Sequence, residues 1–340
     1  MLDTSNSIAS AMSRDWMKLL APYRKPDAAQ SVREIIVTAG PFVALWIATY
    51  FSLSISYALT GLLWVVTAGF LVRLFLIQHD CGHGSFFERR EANDWVGRVI
   101  GVVTMTPYQV WRHSHAKHHA TSGNLDRRGF GDVDTLTVRE YRAMGKWERI
   151  GYRIYRFPLV MFGLGPAFLF LIKHRLPFGF MKAGKQFWIS AMGTNLSILA
   201  MVLAVMWLVG WKAFLLVHLP IFILSASIGV WLFYVQHQFE DSYWADSKDW
   251  TLEEAALYGS SHYDLPTPLR WITANIGIHH VHHLYSRIPY YKLEQVLKDY
   301  PELANIRRFG FWESLSCIKL RFWDEQAKRM VSAREAMAGA

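Results

Sequence analysis

Charged residues and cysteines are both scarce in this sequence. Of its 340 residues, 19% are charged, against about 25% in a typical soluble domain. The two cysteines, Cys81 and Cys317, give no disulfide framework and argue against a thiolate-held metal site. Low-complexity segments are also lacking, so a disordered or compositionally biased protein is not expected.

The sequence contains long hydrophobic runs with few charged residues. Hydrophobic residues make up 52% of the chain, and four stretches approach the roughly 20 apolar residues that a helix needs to cross a bilayer. These stretches are Ile35–Leu53, Tyr57–Gln78, Phe187–Val209 and Ala213–Val235. Because only a few residues connect the members of each pair, the sequence predicts an all-α membrane protein with four transmembrane helices in two hairpins.

The remaining sequence is expected to form a helical cap. It comprises residues 79–186 and 236–340, and we find no clear boundary that would divide the chain, so we predict a single domain over residues 1–340. Two apolar stretches within it, Trp95–Tyr108 and Phe157–Ile172, are short. We expect both to lie in the membrane interface or to re-enter it without spanning.

The distribution of Lys and Arg predicts the orientation. There are 5 before the first hairpin, 17 between the hairpins and 12 after the second, but none in the first hairpin tip and only Lys212 in the second. Because positive loops stay on the cytoplasmic side, we expect both termini and the cap to be cytoplasmic.

The N-terminal segment lacks the apolar core of a signal peptide and should stay attached. Arg73 interrupts the second span near its cytoplasmic end, from which it can snorkel. The net charge of +9 fits contact with anionic lipid or with an acidic soluble partner, and we expect no nucleic acid partner.

Histidines form the most distinctive pattern in the chain. The arrangement H-x-x-H-H occurs twice, in "HAKHH" and in "HHVHH", and two further histidines stand four residues apart in "HDCGH". On a helix, residues at i, i+3 and i+4 share a face, so each trio is expected to aim three ring nitrogens at one point. With His237, which follows the fourth span, the predicted ligands are His79, His83, His115, His118, His119, His237, His279, His282 and His283.

Nine ligands are too many for one metal ion and suit two ions with four or five each. Neutral imidazole suits iron, zinc, copper or nickel. The other histidines have simpler explanations. We expect His174 and His262 to be polar surface or interfacial groups, His218 to pack between helices, and His113 and His280 to lie off the ligand face.

Several polar residues near the boxes are candidates to hold the outer N–H groups of ligand histidines, although loop or capping roles explain each of them equally well. These residues are Asp80, Asp126, Asp132, Asp134 and Asn275.

The motifs resemble the three histidine boxes of the integral-membrane fatty acid desaturases. "HDCGH", "HAKHH" and "HHVHH" stand where that family has its boxes, with the two hairpins between them. Stretches such as "GVWLFYVQHQFEDSYW" and "GIHHVHHLYSRIPYYKLEQV" are similar to the bacterial acyl-lipid branch, to which the cold-induced desaturase of bacilli belongs. The likeness extends over most of the chain.

The resemblance implies a four-span bundle with a cytoplasmic cap that holds two irons, Fe²⁺ or Fe³⁺, on the nine histidines. It implies O₂-dependent formation of a cis double bond in an acyl chain of a membrane lipid, in the bacterial inner membrane. Because the sequence has no fused haem domain or flavin motif, we expect an external, ferredoxin-like electron donor. One position departs from the pattern: the acyl-CoA branch has an asparagine where this chain has Phe233, and Gln236 is a candidate to replace it.

Two other functions are compatible with parts of this pattern. A di-iron alkane or carotenoid hydroxylase has the same metal chemistry and differs in its product. A membrane metal transporter would need ionisable groups near the middle of the spans, where this chain has little beyond Asn195 and His218. The sequence leaves open the double-bond position (Δ5, Δ9, Δ12 or other), whether the substrate is a phospholipid or a thioester, and the oligomeric state.

Overall fold

The computed structural model describes residues 15–338 and is mostly helical. Five short strands lie among the helices, and they are β1 Leu136–Thr137, β2 His262–Asp264, β3 Arg308–Gly310, β4 Leu320–Asp324 and β5 Arg329–Ser332. The α-helices are α1 Trp16–Leu20, α2 Ala28–Ser52, α3 Tyr57–His83, α4 Arg90–Val103, α5 Tyr108–Thr121, α6 Val138–Ala143, α7 Lys146–Tyr155, α8 Gly165–Leu171, α9 Lys185–Val209, α10 Trp211–His237, α11 Leu252–Tyr258, α12 Thr267–Ile272, α13 His279–Leu284, α14 Leu293–Asp299, α15 Pro301–Ala304, α16 Phe311–Ser314 and α17 Ala333–Ala338. The predicted fold class is confirmed.

Four of the described helices, α2, α3, α9 and α10, are long and apolar enough to cross a membrane. Helices α3, α9 and α10 each contain one predicted span and extend beyond it, whereas α2 begins before the predicted Ile35 and ends at Ser52, one residue short of the predicted Leu53. Helix α2 begins at Ala28 because the Asp27 side chain accepts the backbone N–H of Gln30 at 3.0 Å and caps the first turn. Helix α3 continues to His83 and ends at Gly84, whose φ of +68° suits glycine. The first histidine box is therefore the last turn of a spanning helix.

Helices α2 and α3 pack against each other through polar as well as apolar contacts. The hydroxyls of Ser52 and Thr60 lie 2.8 Å apart. The guanidinium of Arg73 donates to Glu34 at 2.5 Å and to Thr38 at 3.1 Å, and its side chain is 2% exposed. The prediction that Arg73 snorkels is therefore wrong, because a carboxylate on the neighbouring helix pairs with it inside the bundle.

The apolar stretch after α7 is bent. Helix α7 and the segment Val160–Arg175 meet at 60°, so this pair is either a broken span or a re-entrant loop. A π-helical turn, Val160–Leu164, precedes α8. The interfacial or re-entrant location predicted for Phe157–Ile172 stays a prediction, as does that of Trp95–Tyr108.

The described chain divides into two compact units. The first unit contains residues 15–25, 114–161 and 231–338, and the second contains residues 26–113 and 162–230. In the first unit, β4 lies between β1 and β5, parallel to β1 and antiparallel to β5, while β2 and β3 form a separate parallel pair. The single-domain prediction over 1–340 stays a prediction, and its residues 1–14 and 339–340 lie outside the described part.

Candidate metal centre

Four buried histidines of the first unit face one another. They are His118 of α5, His237 at the end of α10, and His279 and His283 of α13. One ring nitrogen from each lies within 4.8 Å of the others. The Nε2 atoms of His118 and His237 are 3.1 Å apart, and those of His237 and His279 are 3.0 Å apart.

Hydrogen bonds on the far side of two of these rings fix their tautomers. His118 Nδ1 contacts the Asp132 carboxylate, and His237 Nδ1 lies 3.1 Å from the Gly259 carbonyl oxygen. Both oxygens accept, so both Nδ1 atoms must carry the proton. In the neutral rings the facing Nε2 atoms are then both lone-pair acceptors, and at 3.1 Å they repel each other.

A metal ion resolves this repulsion, because it accepts the lone pairs that point inward. His283 supports the same conclusion: its Nε2 is buried and has no hydrogen-bond partner among residues 15–338. Burial and the neighbouring histidines also hold the pKa of His283 well below its usual value, so the ring stays neutral and able to ligate. The residues therefore fit a cation.

A second group of ring nitrogens forms in the same unit. His115 and His119 of α5 have their Nε2 atoms 3.1 Å apart, and His282 of α13 has its Nε2 3.1 Å from that of His119. One ring nitrogen from each of the three lies within 4.8 Å of the others. These rings are less deeply enclosed than the first group, since His115 and His119 are only half-buried.

Each H-x-x-H-H trio therefore divides between the two groups, and the prediction that a trio aims at one point is wrong. In both helices the i and i+4 histidines enter one group and the i+3 histidine enters the other. Helical rotation of 100° per residue explains the split, because i+4 lies only about 40° from i, while i+3 lies about 60° to the other side. Helix α5 thus contributes one ring to the first group and two to the second, whereas α13 contributes two rings to the first group and one to the second.

The histidines of the first box belong to the second unit. The rings of His79 and His83 have their centroids 4.7 Å apart on the last turn of α3, and His79 Nδ1 lies 3.1 Å from an Asp80 carboxylate oxygen. Trp111 packs 5.8 Å from His79. A Cβ on Gly82 would lie 2.8 Å from the Trp111 ring, so this position of the box requires glycine.

His280 and His262 are structural. Both are buried with rings 5.6 Å apart, and each bonds to a backbone carbonyl of α15: His280 Nε2 to Leu303 at 2.8 Å and His262 Nδ1 to Ala304 at 2.7 Å. His280 lies off the ligand face, as predicted, and its hydrogen bond to Leu303 joins α13 to α15. The surface role expected for His262 is wrong, because β2 lies inside the unit.

In the second unit, His113 bonds to the Gln109 carbonyl at 2.8 Å and packs on Phe187, in keeping with a position off the ligand face. His218 stacks on Phe214 within the bundle, as expected of a packing residue. His174 is half-buried beside Phe170.

Of the polar candidates near the boxes, Asp80 and Asp132 contact predicted ligand histidines, His79 and His118. Asp126 accepts from the Ser247 backbone, Asn275 donates to the Tyr290 carbonyl, and the backbone N–H of Asp134 donates to Tyr155, so these three have loop contacts.

The ring of Phe233 lies 5.0 Å from that of His118 and 5.2 Å from that of His237. An apolar side chain therefore occupies the position where the acyl-CoA branch has an asparagine. Gln236 donates to the Ile276 carbonyl instead of a histidine. The carbonyl oxygen of Gly259 fixes the His237 tautomer. Because it is a backbone group, no signal in the sequence predicts this contact.

Comparison with known proteins agrees with this geometry. The model of the fatty acid desaturase family matches residues 55–313. The chain belongs to the fatty acid desaturase family. It is 46% identical to a fatty acid desaturase of Bacillus subtilis over 93% of this chain and 90% of that protein. It is 30% identical to an sn-1 acyl-lipid omega-3 desaturase (ferredoxin) of Synechocystis over 68% of this chain and 64% of that protein, and 27% identical to an sn-1 oleoyl-lipid 12-desaturase of the same organism over 68% and 65%.

The predicted family and enzyme class are thereby confirmed, and the protein is a membrane desaturase with histidine groups able to hold metal ions. The relatives favour neither the hydroxylase nor the transporter.

Proposed function

We propose that this protein introduces a cis double bond into an acyl chain of a membrane lipid, using two irons, O₂ and an external electron donor. The observation that carries the proposal is the group formed by His118, His237, His279 and His283. When these rings are neutral, the inward Nε2 lone pairs of His118 and His237 repel each other, and a bound cation removes that repulsion. Fixed outer hydrogen bonds make this a prepared ligand set.

The proposed ligands are the nine histidines predicted from the sequence. One group comprises His118, His237, His279 and His283, and a second includes His115, His119 and His282. The family resemblance adds His79 and His83. All are neutral imidazoles, which suit iron.

The chemistry needs a strong oxidant, which two irons supply with O₂ and two electrons. The acyl chain loses two hydrogens and gains a carbon–carbon double bond. These hydrogens leave as two protons and two electrons, and with two further protons and the donor's two electrons they convert O₂ to two waters.

The chain's own residues prepare the ligands. Asp132 holds the proton on His118 Nδ1 and makes its Nε2 a stronger ligand, as carboxylate partners of ligating histidines do. Asp80 stands beside His79 in the same way. Phe233 covers His118 and His237 with an apolar ring and keeps water from that side.

The relatives named above support the proposed lipid substrate and electron donor, since one of them carries acyl-lipid and ferredoxin in its name. We place the enzyme in the bacterial inner membrane with both termini and the cap cytoplasmic, on the Lys and Arg distribution. Cysteines introduced at Ser56 and Lys212 should label from the periplasm, and one at Lys248 from the cytoplasm. All three positions are exposed, and the native Cys81 and Cys317 are buried. Labelling of Lys248 from the same side as Ser56 would refute this topology.

Expression in a bacterial host unable to make unsaturated chains tests the reaction. Mass spectrometry of total lipids should show a new double bond at one position, dependent on iron and on a ferredoxin reductant. Zinc cannot change its redox state and should not support turnover. A hydroxylated chain, or full activity in a zinc-loaded, iron-free preparation, would contradict the proposal.

A further inference from the structure

A cavity of about 470 Å³ opens in the first unit, away from the histidines. Aromatic rings form its floor. Tyr141 lies 4.5 Å from Phe322, and Tyr152 lies 5.6 Å from Phe322, ring centre to ring centre. All three side chains are buried in one hydrophobic cluster, so the floor is rigid. The volume falls in the range of small-molecule sites.

Three arginines line the same cavity: Arg153 of α7, Arg321 of β4 and Arg334 of α17. Arg153 donates to the Tyr141 hydroxyl at 2.6 Å. Within residues 15–338, neither Arg321 nor Arg334 has an ion-pair partner, and no acidic side chain lines the cavity. The cavity therefore combines uncompensated positive charge with an apolar base, which suits an anionic amphiphile.

Helix α7 connects this cavity with a surface suited to a bilayer. It contributes Tyr152 and Arg153 to the lining, while Trp147 and Ile154 leave 79% and 57% of their surfaces exposed. Phe157, just after the helix, is also largely exposed. Apolar residues spaced along one side of a helix with arginines on another are typical of a helix that lies in the membrane interface.

Strand β4 is tied to the end of a membrane-length helix. The Tyr234 hydroxyl of α10 lies 2.9 Å from the Leu320 carbonyl oxygen, and Leu320 directly precedes Arg321. Tyr234 stands three residues before the end of α10. Because the predicted fourth span ends at this turn of α10, we expect Arg321 to lie near the level of lipid headgroups.

We propose that this cavity binds the phosphate-bearing headgroup of an anionic membrane lipid. Arg321 and Arg334 would contact the phosphate, and the aromatic floor would support the glycerol end of the molecule. A lipid is favoured over a soluble phosphate compound for two reasons. Helix α7, which carries Arg153, has exposed apolar side chains suited to a bilayer, and β4, which carries Arg321, is hydrogen-bonded to the end of a membrane-length helix. The site is separate from the desaturation chemistry.

Full-length protein in neutral detergent tests the proposal by thermal unfolding with dioctanoyl phosphatidylglycerol, dioctanoyl phosphatidylcholine and glycerol 1-phosphate. Phosphatidylglycerol should bind most tightly. Replacing both Arg321 and Arg334 with Gln should weaken its binding on the order of thirtyfold, since an arginine near a lipid surface contributes about fivefold. The matched control is R139Q with K248Q, which removes the same charge from exposed positions outside the cavity and should leave binding unchanged.

Arg334→Gln alone should weaken binding about fivefold, and its exposed side chain makes misfolding a poor explanation. Equal binding of the two lipids, or equal loss in the control, would overturn the proposal. Glycerol 1-phosphate binding as tightly as the lipid would replace it with a soluble phosphate site.

Discussion

Replacing His280 separates packing from metal binding within a single histidine box. Its ring is fully buried, and its Nε2 donates to the Leu303 carbonyl of α15. None of its atoms belongs to either group of facing nitrogens. We therefore expect His280→Ala to destabilise the protein without removing a metal ligand.

The cost follows from what the ring contacts. Without the donor, the Leu303 carbonyl keeps only its bond from the backbone N–H of Ile306 at 3.3 Å, and the lost hydrogen bond costs about 0.5–1.5 kcal/mol. The space left by the ring, which packs 5.6 Å from His262, adds a cavity term. We expect a total of about 3 kcal/mol, near the lower end of the range for truncating a buried aromatic side chain.

The assay compares His280→Ala with His283→Ala. Thermal unfolding in detergent gives stability, and elemental analysis gives metal per folded chain. His280→Ala should unfold at lower temperature and keep its metal, whereas His283→Ala should lose metal from the group of four. His280→Gln is the control, because its amide nitrogen can donate from the position of Nε2 and should recover much of the stability.

The opposite pattern would refute this reasoning. If His280→Ala lost as much metal per folded chain as His283→Ala, the ligand face would be assigned incorrectly. If it unfolded like the unmodified protein, the contact with α15 would contribute nothing.

Three further changes test the surroundings. Asp132→Asn should weaken metal binding about 10–100-fold in a competition titration, because His118 loses its charged partner, whereas Asp126→Asn should not. Arg156→Met should cost about 3 kcal/mol in thermal unfolding, since the neutral oxygens of Tyr234, Gln238 and Leu320 would each lose one hydrogen bond from the buried guanidinium. Burial lowers the pKa of His262 from 6.5, so the unfolded chain takes up a proton there before the folded one. Stability should then fall as the pH drops through about 6.5, and less steeply in His262→Asn, which retains a donor.

The spans were predictable because hydropathy marks where a helix faces lipid. Hydropathy does not mark where the helix ends. Helix α3 continues five residues past the predicted Gln78. Its last turn is surrounded by protein and no longer needs apolar side chains, but its backbone hydrogen bonds continue. Arg73 was misplaced for a related reason: its partner, Glu34, lies 39 positions earlier and before the predicted start of the first span.

The histidines that come together in the two groups were predictable from spacing, but their hydrogen-bond partners were not. Asp132 is separated from His118 by 14 positions, and the Gly259 carbonyl has no side chain. Arg156, which joins α10 to β4 through Tyr234 and Leu320, gave no signal at all, because a buried arginine with neutral acceptors has no pattern in one sequence.

The division of each H-x-x-H-H trio explains why the motif occurs twice. Helix α5 supplies two rings to one group and one to the other, and α13 supplies them in the opposite proportion. A single trio cannot satisfy both groups, because its i+3 ring points away from the other two. The second trio restores the balance, so both helices must be in place before either group can form. The formation of either histidine group in the first unit therefore depends on α5 and α13 together, and the buried hydrogen bond from His280 to Leu303 of α15 helps to hold α13 in place.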